Sequence, residues 1–273
     1  MTSPYLLPKG NVQISFSGGR TSAFMLHQIL EANGGLPETA RVCFENTGRE
    51  MPETLDFIHE CESRWNVDII WLEYALDNNK PYASVINYQT AAQNGEPFDA
   101  LITKYNALPN VAQRFCTGEL KAKTGNRYLK KLGWKKWYHA IGIRADEAHR
   151  AKPNRLKSIS NFYPLIDAGV TKNHVHQFWR ESPFDLQLPS LNGKTAKGNC
   201  DLCFLKSEAI LASMAREYPD RAKWWIDKEK QTGRSFHKVR KLNSFVDFVE
   251  RQKDWVFDDE SYFCQADDGE CAG

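Results

Sequence analysis

A strand that ends in a glycine turn and continues at once as a helix is the feature that most constrains the fold of this chain. The stretch VQISFSGGRTSAFML begins with alternating apolar and polar residues at 12–16, a pattern typical of a β-strand. From Thr21 onward the apolar residues recur at helical spacing. Gly18 and Gly19 lie at the junction, where glycine lets the backbone turn sharply and leaves its N–H groups accessible. The junction predicts a βα unit with an anion site suited to phosphate; a tight turn without a ligand is the alternative.

The same order of strand and helix recurs along the first half of the chain. Apolar segments at 12–17, 41–45, 67–74 and 137–143 predict strands, and residues 21–32, 52–65 and 119–132 predict helices. Residues 77–114 predict a helix and loops, 151–160 a mobile polar loop, and 206–230 and 236–253 a C-terminal helical extension. Repeated βαβ units predict an α/β fold with a doubly wound, mostly parallel sheet. In such a sheet the ligand lies beyond the carboxyl ends of the strands, where the loops at 17–19 and 46–48 are expected to meet.

Composition narrows the class of protein. The chain has 273 residues, of which 41% are hydrophobic, so it can bury a full core. Its formal net charge of +2 does not indicate a nucleic-acid partner, although basic residues cluster at 121–136 and 144–157, either as a surface for polyanions or as solvated helix faces. No segment has the roughly 20 apolar residues that span a bilayer, and the N-terminus lacks the pattern of a secretory signal. These features predict a cytoplasmic protein with no membrane partner.

The chain has seven cysteines, which in a reducing compartment indicate metal binding or catalysis before disulfides. Cys43 and Cys61 lie in apolar and helical segments and are expected to be buried packing residues. Cys200 and Cys203 have the spacing that brings two thiolates to one metal from a single turn. A site with four cysteines suits either zinc or a 4Fe–4S cluster, and spacing alone does not separate the two.

Six stretches, taken in order, resemble one known family. They are SFSGGRTSAFML, NTGREMPET, FCTGELKAKTGNRYL, AIGIRADEAHR, YPLIDAGVTKNHVHQFW and GNCDLCF, and they run from about residue 12 to residue 206. The first resembles the pyrophosphate-binding loop of the PP-loop ATP pyrophosphatase superfamily, and the others resemble its phosphoadenosine-phosphosulfate (PAPS) reductase branch. The resemblance implies an adenine nucleotide alpha-hydrolase-like α/β domain over residues 1–206, and a helical extension with a cysteine-containing tail over 207–273.

The resemblance also implies a site for an adenine nucleotide. The implied nucleotide-binding residues are Ser17, Gly18, Gly19, Arg20, Thr21, Ser22, Asn46, Gly142 and Arg144, and the implied catalytic residues are Arg144, Asp146 and Cys271. Because the Ser-Gly-Gly loop is intact, ATP is favoured over PAPS, with cleavage between the α and β phosphates and Mg²⁺ sharing the charge. For Arg144, a surface salt bridge with Asp146 or Glu147 is the alternative.

The family further implies a metal centre built on cysteines. The implied ligands are Cys116, Cys200, Cys203, Cys264 and Cys271. They imply a 4Fe–4S cluster, with structural zinc as the alternative. One of the two tail cysteines is expected to be the fourth ligand, and the sequence does not choose between them. Cys271 also resembles the mobile nucleophile of the reductases, which requires an accessible thiolate.

Three functions stay open at this point. The first is an ATP-using enzyme that adenylates its substrate and, with an iron–sulfur cluster, transfers sulfur or a related group from a sulfur donor. The second is a PAPS or adenylylsulfate reductase that releases sulfite, with thioredoxin as electron donor. The third is a non-catalytic, zinc-stabilised module that binds a nucleotide or a nucleic acid. The intact loop favours the first, the cysteine tail the second, and the local basic runs the third.

Two smaller expectations concern side-chain partners. Asp185 is expected to pair with Arg180. Trp179, Trp224 and Trp225 are expected to pack in the core rather than to form a surface on which bases stack.

Overall fold

A six-stranded sheet forms the centre of the molecule. The structure, a computed structural model, describes residues 3–154, 156–191, 194–236 and 241–251. The strands of the sheet are β1 (Val12–Ser15), β2 (Ala40–Asn46), β3 (Ile69–Asp77), β4 (Lys80–Ile86), β5 (Trp137–Ala140) and β6 (Ile159–Phe162). A two-stranded ribbon of β7 (Ser190–Leu191) and β8 (Lys194–Thr195) lies apart from it.

The strand order β4-β3-β2-β1-β5-β6 confirms the predicted doubly wound α/β fold. All neighbouring strands are parallel except β3 and β4, which are antiparallel. β1 lies between β2 and β5, so the direction of winding reverses at β1. Ligands of such sheets bind in the crevice outside the carboxyl ends of the strands at this reversal. The loops after β1, β2 and β5 therefore surround the expected site.

The helices connect the strands and build the C-terminal region. They are α1 (Arg20–Asn33), α2 (Pro52–Trp65), α3 (Glu96–Tyr105), α4 (Lys123–Lys131), α5 (Pro164–Asp167), α6 (Lys172–Glu181), α7 (Glu208–Glu217), α8 (Pro219–Thr232) and α9 (Leu242–Arg251). The boundaries of α2 follow from its sequence, since Pro52 suits the first helical position and Asn66 ends the helix in the left-handed conformation at φ 47°.

Three elements differ from the sequence predictions. The region predicted as a helix and loops contains β4, which follows a tight turn with positive φ at Asn78 and Asn79. The predicted mobile loop at 151–160 runs into β6, because the buried Ile159 pairs with Trp137. The predicted helix at 119–132 begins as a π-helix, Thr117–Ala122, before α4. π-Helical turns are rare and are frequently found at functional sites.

The hydrophobic core is continuous from the sheet to the C-terminal helices. Trp225 is fully buried, packs edge-on against Phe98 of α3, and stacks on Phe236. Trp179 is also buried, as expected, while Trp224 is partly buried and packs against the same core. The core thus extends across residue 206, and the two tryptophans of α8 pack on it as expected. Among the described residues, no helix has the length and apolar character that crossing a membrane requires.

Candidate functional site

The glycine loop after β1 delivers the amino end of α1 to the crevice. Gly18 adopts φ +77°, and a Cβ there would stand 2.6 Å from Cγ2 of Thr54 in α2. Gly19 is the N-cap residue with extended backbone at φ −95°, and no side chain caps the helix. The hydroxyls of Ser17 and Ser22 lie 3.0 Å apart beside it. The loop thus places two hydroxyls at a helix amino end, where the helix dipole favours an anion.

Arg144 reaches the same point from the loop after β5. Its guanidinium is 5% exposed and donates to the Thr21 hydroxyl at 3.2 Å. Asp146 and Glu147 hold it at 3.1 and 3.5 Å. The loop comes this close because Gly142 has no side chain: a Cβ there would lie 3.4 Å from the Cα of Ser22. Arg144 thus forms ion pairs with both carboxylates and also lies at the loop. Its pair with Glu147 is buried, whereas Asp146 is 38% exposed.

Arg20 lies at the loop but its side chain is bound elsewhere. Its guanidinium donates to both carboxylate oxygens of Asp185 at 2.7 Å and to the hydroxyl of Thr195 at 2.8 Å. The expected pairing of Asp185 with Arg180 is wrong, because Arg20 takes both oxygens in a fork-to-fork contact. The Arg20 charge thus fixes the segment after α6 against α1, which is a structural role.

The loop after β2 is ordered by its own polar side chains. Asn46 donates to Glu73 at 2.6 Å, and its carbonyl oxygen accepts from the N–H of Gly48 at 3.0 Å. Glu50 accepts from both the N–H and the hydroxyl of Thr47, at 3.0 and 2.7 Å. The side-chain amide of Asn46 thus bonds within the fold, and Glu50 contributes a buried carboxylate to the loop.

A buried ion network fastens the Cys200–Cys203 turn to this loop. Asp201 is fully buried and accepts from Arg49 at 2.5 and 3.1 Å, from Arg221 at 2.7 Å and from the indole N–H of Trp225 at 2.8 Å. The N–H of Asp201 also donates to the carbonyl of Arg49 at 2.8 Å. Sequence reasoning missed these residues. The acidic residue inside the cysteine pair was the available signal, but its partners are far away in the chain.

Cys200 directly precedes Asp201 and lies beside the loop after β2. Its sulfur is 3.2 Å from the Thr47 hydroxyl and 3.9 Å from Oε1 of Glu50, and Lys121 approaches Glu50 at 4.0 Å. Burial first, and then the Glu50 charge, raise the pKa of the Cys200 thiol well above its ordinary value. Lys121, from the π-helix that begins after Cys116, opposes that rise.

Three of the five predicted metal ligands, Cys116, Cys200 and Cys203, lie among the described residues. Within residues 3–154, 156–191, 194–236 and 241–251, no group of three His, Cys, Asp or Glu side chains is arranged to hold a metal ion. Cys116 is half-buried and Cys203 buried, each packed against the hydrophobic core or within it. Cys264 and Cys271 lie outside the described residues. The four-cysteine centre therefore stays a prediction.

Two titratable side chains on the α4 side of the sheet were not anticipated from the sequence. Glu45, near the end of β2, fits beside Gly125 of α4, where a Cβ would stand 2.5 Å from its Oε1. Burial raises the pKa of Glu45 to about 8, although Lys121 opposes the shift. His139 of β5 contacts the Ser15 hydroxyl at 2.6 Å, and burial lowers the pKa of its imidazole to about 4. Both groups are therefore mainly uncharged near neutral pH.

Comparison with known protein families agrees with this geometry. The family model described as the phosphoadenosine phosphosulfate reductase domain matches residues 11–186, which include β1 to β6 and the loops of the crevice. The chain belongs to the PAPS reductase family. The chain is also similar to a curated protein, the uncharacterized nin region protein ORF290 of Escherichia phage lambda, with 32% identity over 207 residues. The match spans 71% of this chain and 66% of the relative's length.

Solved structures of two other proteins bear a weaker likeness to this family member. A PAPS reductase from Candida auris, in complex with phosphate, has 14% identity and a TM-score of 0.43, with 67% of this chain and 81% of that chain covered. The U34-tRNA thiolase NcsA from Methanococcus maripaludis, with its [4Fe-4S] cluster, has 12% identity and a TM-score of 0.40, with 93% and 84% covered. Likenesses of this size assign no activity to the chain.

Proposed function

We propose that this chain binds ATP at the loop of residues 17–22 and cleaves it between the α and β phosphates to give AMP and pyrophosphate. The observation that carries the proposal is the meeting of the amino end of α1 with the buried Arg144 guanidinium at Thr21. A helix amino end and a planar guanidinium both favour phosphate oxygens. Their convergence from two neighbouring strand ends forms a cradle for a polyphosphate.

Each group in the cradle has a distinct role in the proposed reaction. The N–H groups of the first turn of α1, with the hydroxyls of Ser17 and Ser22, donate to the departing pyrophosphate, on which negative charge develops. Arg144 binds the α-phosphate, and Asp146 holds its guanidinium in position. Mg²⁺ bound with the nucleotide neutralises part of the phosphate charge. The acceptor attacks the α-phosphorus as pyrophosphate leaves, and the incoming group then displaces AMP from the adenylated acceptor.

Calorimetry with ATP and with PAPS, each with and without Mg²⁺, tests the nucleotide. We expect ATP to bind more tightly, because the intact loop offers donors for a β,γ-pyrophosphate that PAPS lacks. Arg144→Lys keeps the charge but loses the forked contact, and should weaken ATP binding by about 10- to 100-fold, as expected for one charged hydrogen bond of about 1.5–3 kcal/mol. Arg64→Lys, at an exposed pair with Glu60, is the matched control.

Full ATP affinity in a folded Arg144→Lys protein would contradict this site. Release of pyrophosphate from ATP, measured with candidate acceptors, then tests the cleavage itself. If neither ATP nor PAPS binds, the chain does not act on a nucleotide at this loop.

A 4Fe–4S cluster for sulfur transfer is the second part of the proposal. The family resemblance supports it, but the described residues do not complete a metal site, so no step above depends on a cluster. Anaerobically purified protein is expected to contain about four iron atoms per chain and to be brown. One zinc per chain without iron would favour the structural alternative instead. Removal of the metal by a chelator, followed by a thermal melt, would show whether the metal stabilises the fold.

Membership of the PAPS reductase family also favours a second candidate, a sulfonucleotide reductase. In that case the Cys271 thiolate attacks the sulfur of PAPS and displaces the nucleotide, which leaves a thiosulfonate on Cys271. The dithiol of thioredoxin then attacks Cys271, releases sulfite and is itself oxidised to a disulfide. Release of sulfite from PAPS with thioredoxin, abolished by Cys271→Ser, would favour this candidate over ATP cleavage.

A further inference from the structure

Five lysines lie at the edge of the sheet opposite the nucleotide crevice. We name this set the basic edge: Lys130, Lys131, Lys135, Lys136 and Lys157. Lys130 and Lys131 end α4, the next two precede β5, and Lys157 precedes β6; all five are exposed. The crevice lies at the carboxyl ends of the strands, whereas these residues lie at the amino ends of β5 and β6. The basic edge is therefore a separate surface.

The pairing of β5 with β6 brings the two basic segments together. Trp137 is the register partner of Ile159, and the N–H of Trp137 donates to the carbonyl of Ser158 at 3.1 Å. Lys135 and Lys157 each stand two residues before this pair. Adjacent strands lie about 4.8 Å apart, so segments distant in sequence become one surface. Trp137 and Ile159 are buried in one hydrophobic cluster, which makes the base of this surface rigid.

The two segments that form the basic edge contain no acidic residue. The sequence has no Asp or Glu between residues 120 and 145, nor between 148 and 166. Lys123 and Arg127 of α4 pair with Glu119, whereas none of the five lysines forms an ion pair with any residue in the described part of the chain. Cations in the last turn of a helix stabilise it, which explains Lys130 and Lys131. Lys135, Lys136 and Lys157 have no such role.

Exposed apolar side chains are interspersed with these lysines. Leu132, Tyr138 and Leu156 are 45%, 38% and 44% exposed. Lysines mixed with an exposed aromatic ring suit a ligand that carries phosphates beside sugars and bases, since the rings contact the latter. Small anions gain nothing from the apolar groups.

We propose that the basic edge binds the phosphate backbone of a nucleic acid, without reading its sequence. The positive field draws the polyanion in, and release of its counterions supplies the binding free energy. Because the surface lies across the sheet from the crevice, it anchors the nucleic acid independently of the nucleotide. The net charge of the whole chain, +2, does not show that positive charge is concentrated at this surface.

Fluorescence anisotropy with labelled duplex DNA, single-stranded DNA and single-stranded RNA tests the proposal over a range of salt concentrations. At least one of them should bind, and more weakly as salt rises. The triple variant Lys135→Ala, Lys136→Ala, Lys157→Ala should bind about tenfold or more weakly. The slope of log affinity against log salt should fall by about 2–3, or roughly one unit for each lost phosphate contact.

The matched control removes three exposed lysines elsewhere, Lys104, Lys223 and Lys230, for the same change in charge. It should retain binding, and ATP affinity should be unchanged in both triple variants, which separates this proposal from the proposed function. Equal loss in both variants would show that only net charge matters and would overturn the proposal. So would binding to phosphatidylserine vesicles with no binding to any of the three nucleic acids.

Discussion

At the scale of single residues, the buried Glu45 carboxyl links the stability of the fold to pH. The pKa of its carboxyl group is about 8 in the folded chain, against an ordinary value of 4.5. Between these values the folded chain binds a proton that the unfolded chain has released. Stability from this group is therefore fully present below pH 4.5 and is lost as the pH rises toward 8, by at most about 1.4 kcal/mol per pH unit.

Glu45→Gln removes this titration and keeps the shape that fits beside Gly125. The free energy of unfolding of the variant, relative to the parent protein, should rise by about 1–4 kcal/mol from pH 5 to pH 8. Urea titrations at both values measure it. Glu60→Gln, at a more exposed position on α2, is the control for the same substitution elsewhere. A constant difference for Glu45→Gln would show that Glu45 is ionised in the fold across this range.

The sequence predicted which residues surround the crevice better than it predicted their partners. Residues 17–22 and Arg144 were placed there by motif, and they do meet. Arg20 was assigned to phosphate, but Asp185, 165 residues away, binds it. A motif reports position along the chain, whereas an ion pair depends on which distant segments the fold brings together.

At the scale of elements, the start of α1 depends on two glycines with different tasks. Gly18 adopts a positive φ, whereas Gly19 has an extended backbone. Gly18 also packs against α2, so it sets the distance between loop and helix. Gly19→Ala therefore carries no strain from a positive φ.

Gly18→Ala and Gly34→Ala form a matched pair. Both glycines have positive φ, +77° and +64°, but a Cβ on Gly34 meets nothing within 4 Å, while one on Gly18 would lie 2.6 Å from Thr54. Gly34→Ala should cost about 1–2 kcal/mol of unfolding free energy from conformation alone. Gly18→Ala should cost about 1–3 kcal/mol more because of the overlap. Urea denaturation measures both, and equal costs would show that α2 moves aside freely.

Elements with strong periodicity were predicted closely, and elements defined by their partners were not. The prediction for α2 matches its bounds, because its apolar spacing and Pro52 are local signals. β4 was missed because it forms an edge beside β3, where Pro81 and exposed Val85 break the apolar pattern. β6 has only four residues, and it forms a strand by pairing with β5, which is not visible in any local sequence pattern.

At the scale of the whole molecule, Asp201 joins the predicted α/β domain to the predicted helical extension. Arg49 comes from the first quarter of the chain, and Arg221 and Trp225 come from α8. The family match ends at residue 186, before Asp201. The end of the family match at residue 186 therefore does not coincide with a break in the packing of the protein.

Asp201→Asn should destabilise the chain by about 3–5 kcal/mol, because it leaves two guanidinium groups buried without their carboxylate. Asp227→Asn is the control: its pair with Lys223 is exposed, and its loss should cost at most about 1 kcal/mol. Urea denaturation compares the two variants. A cost below about 1 kcal/mol for Asp201→Asn would mean that water reaches the network.

The distance between Arg49 and Asp201 along the chain also sets an order of events during synthesis. The two are separated by 152 residues. At about 5–20 residues per second, a ribosome needs roughly 8–30 s after making Arg49 to make its partner. During that interval the Arg49 guanidinium in the loop after β2 lacks its partner, the Asp201 carboxylate. The loop after β2 therefore gains its buried carboxylate partner only late in translation, when the Cys200–Cys203 turn has left the exit tunnel.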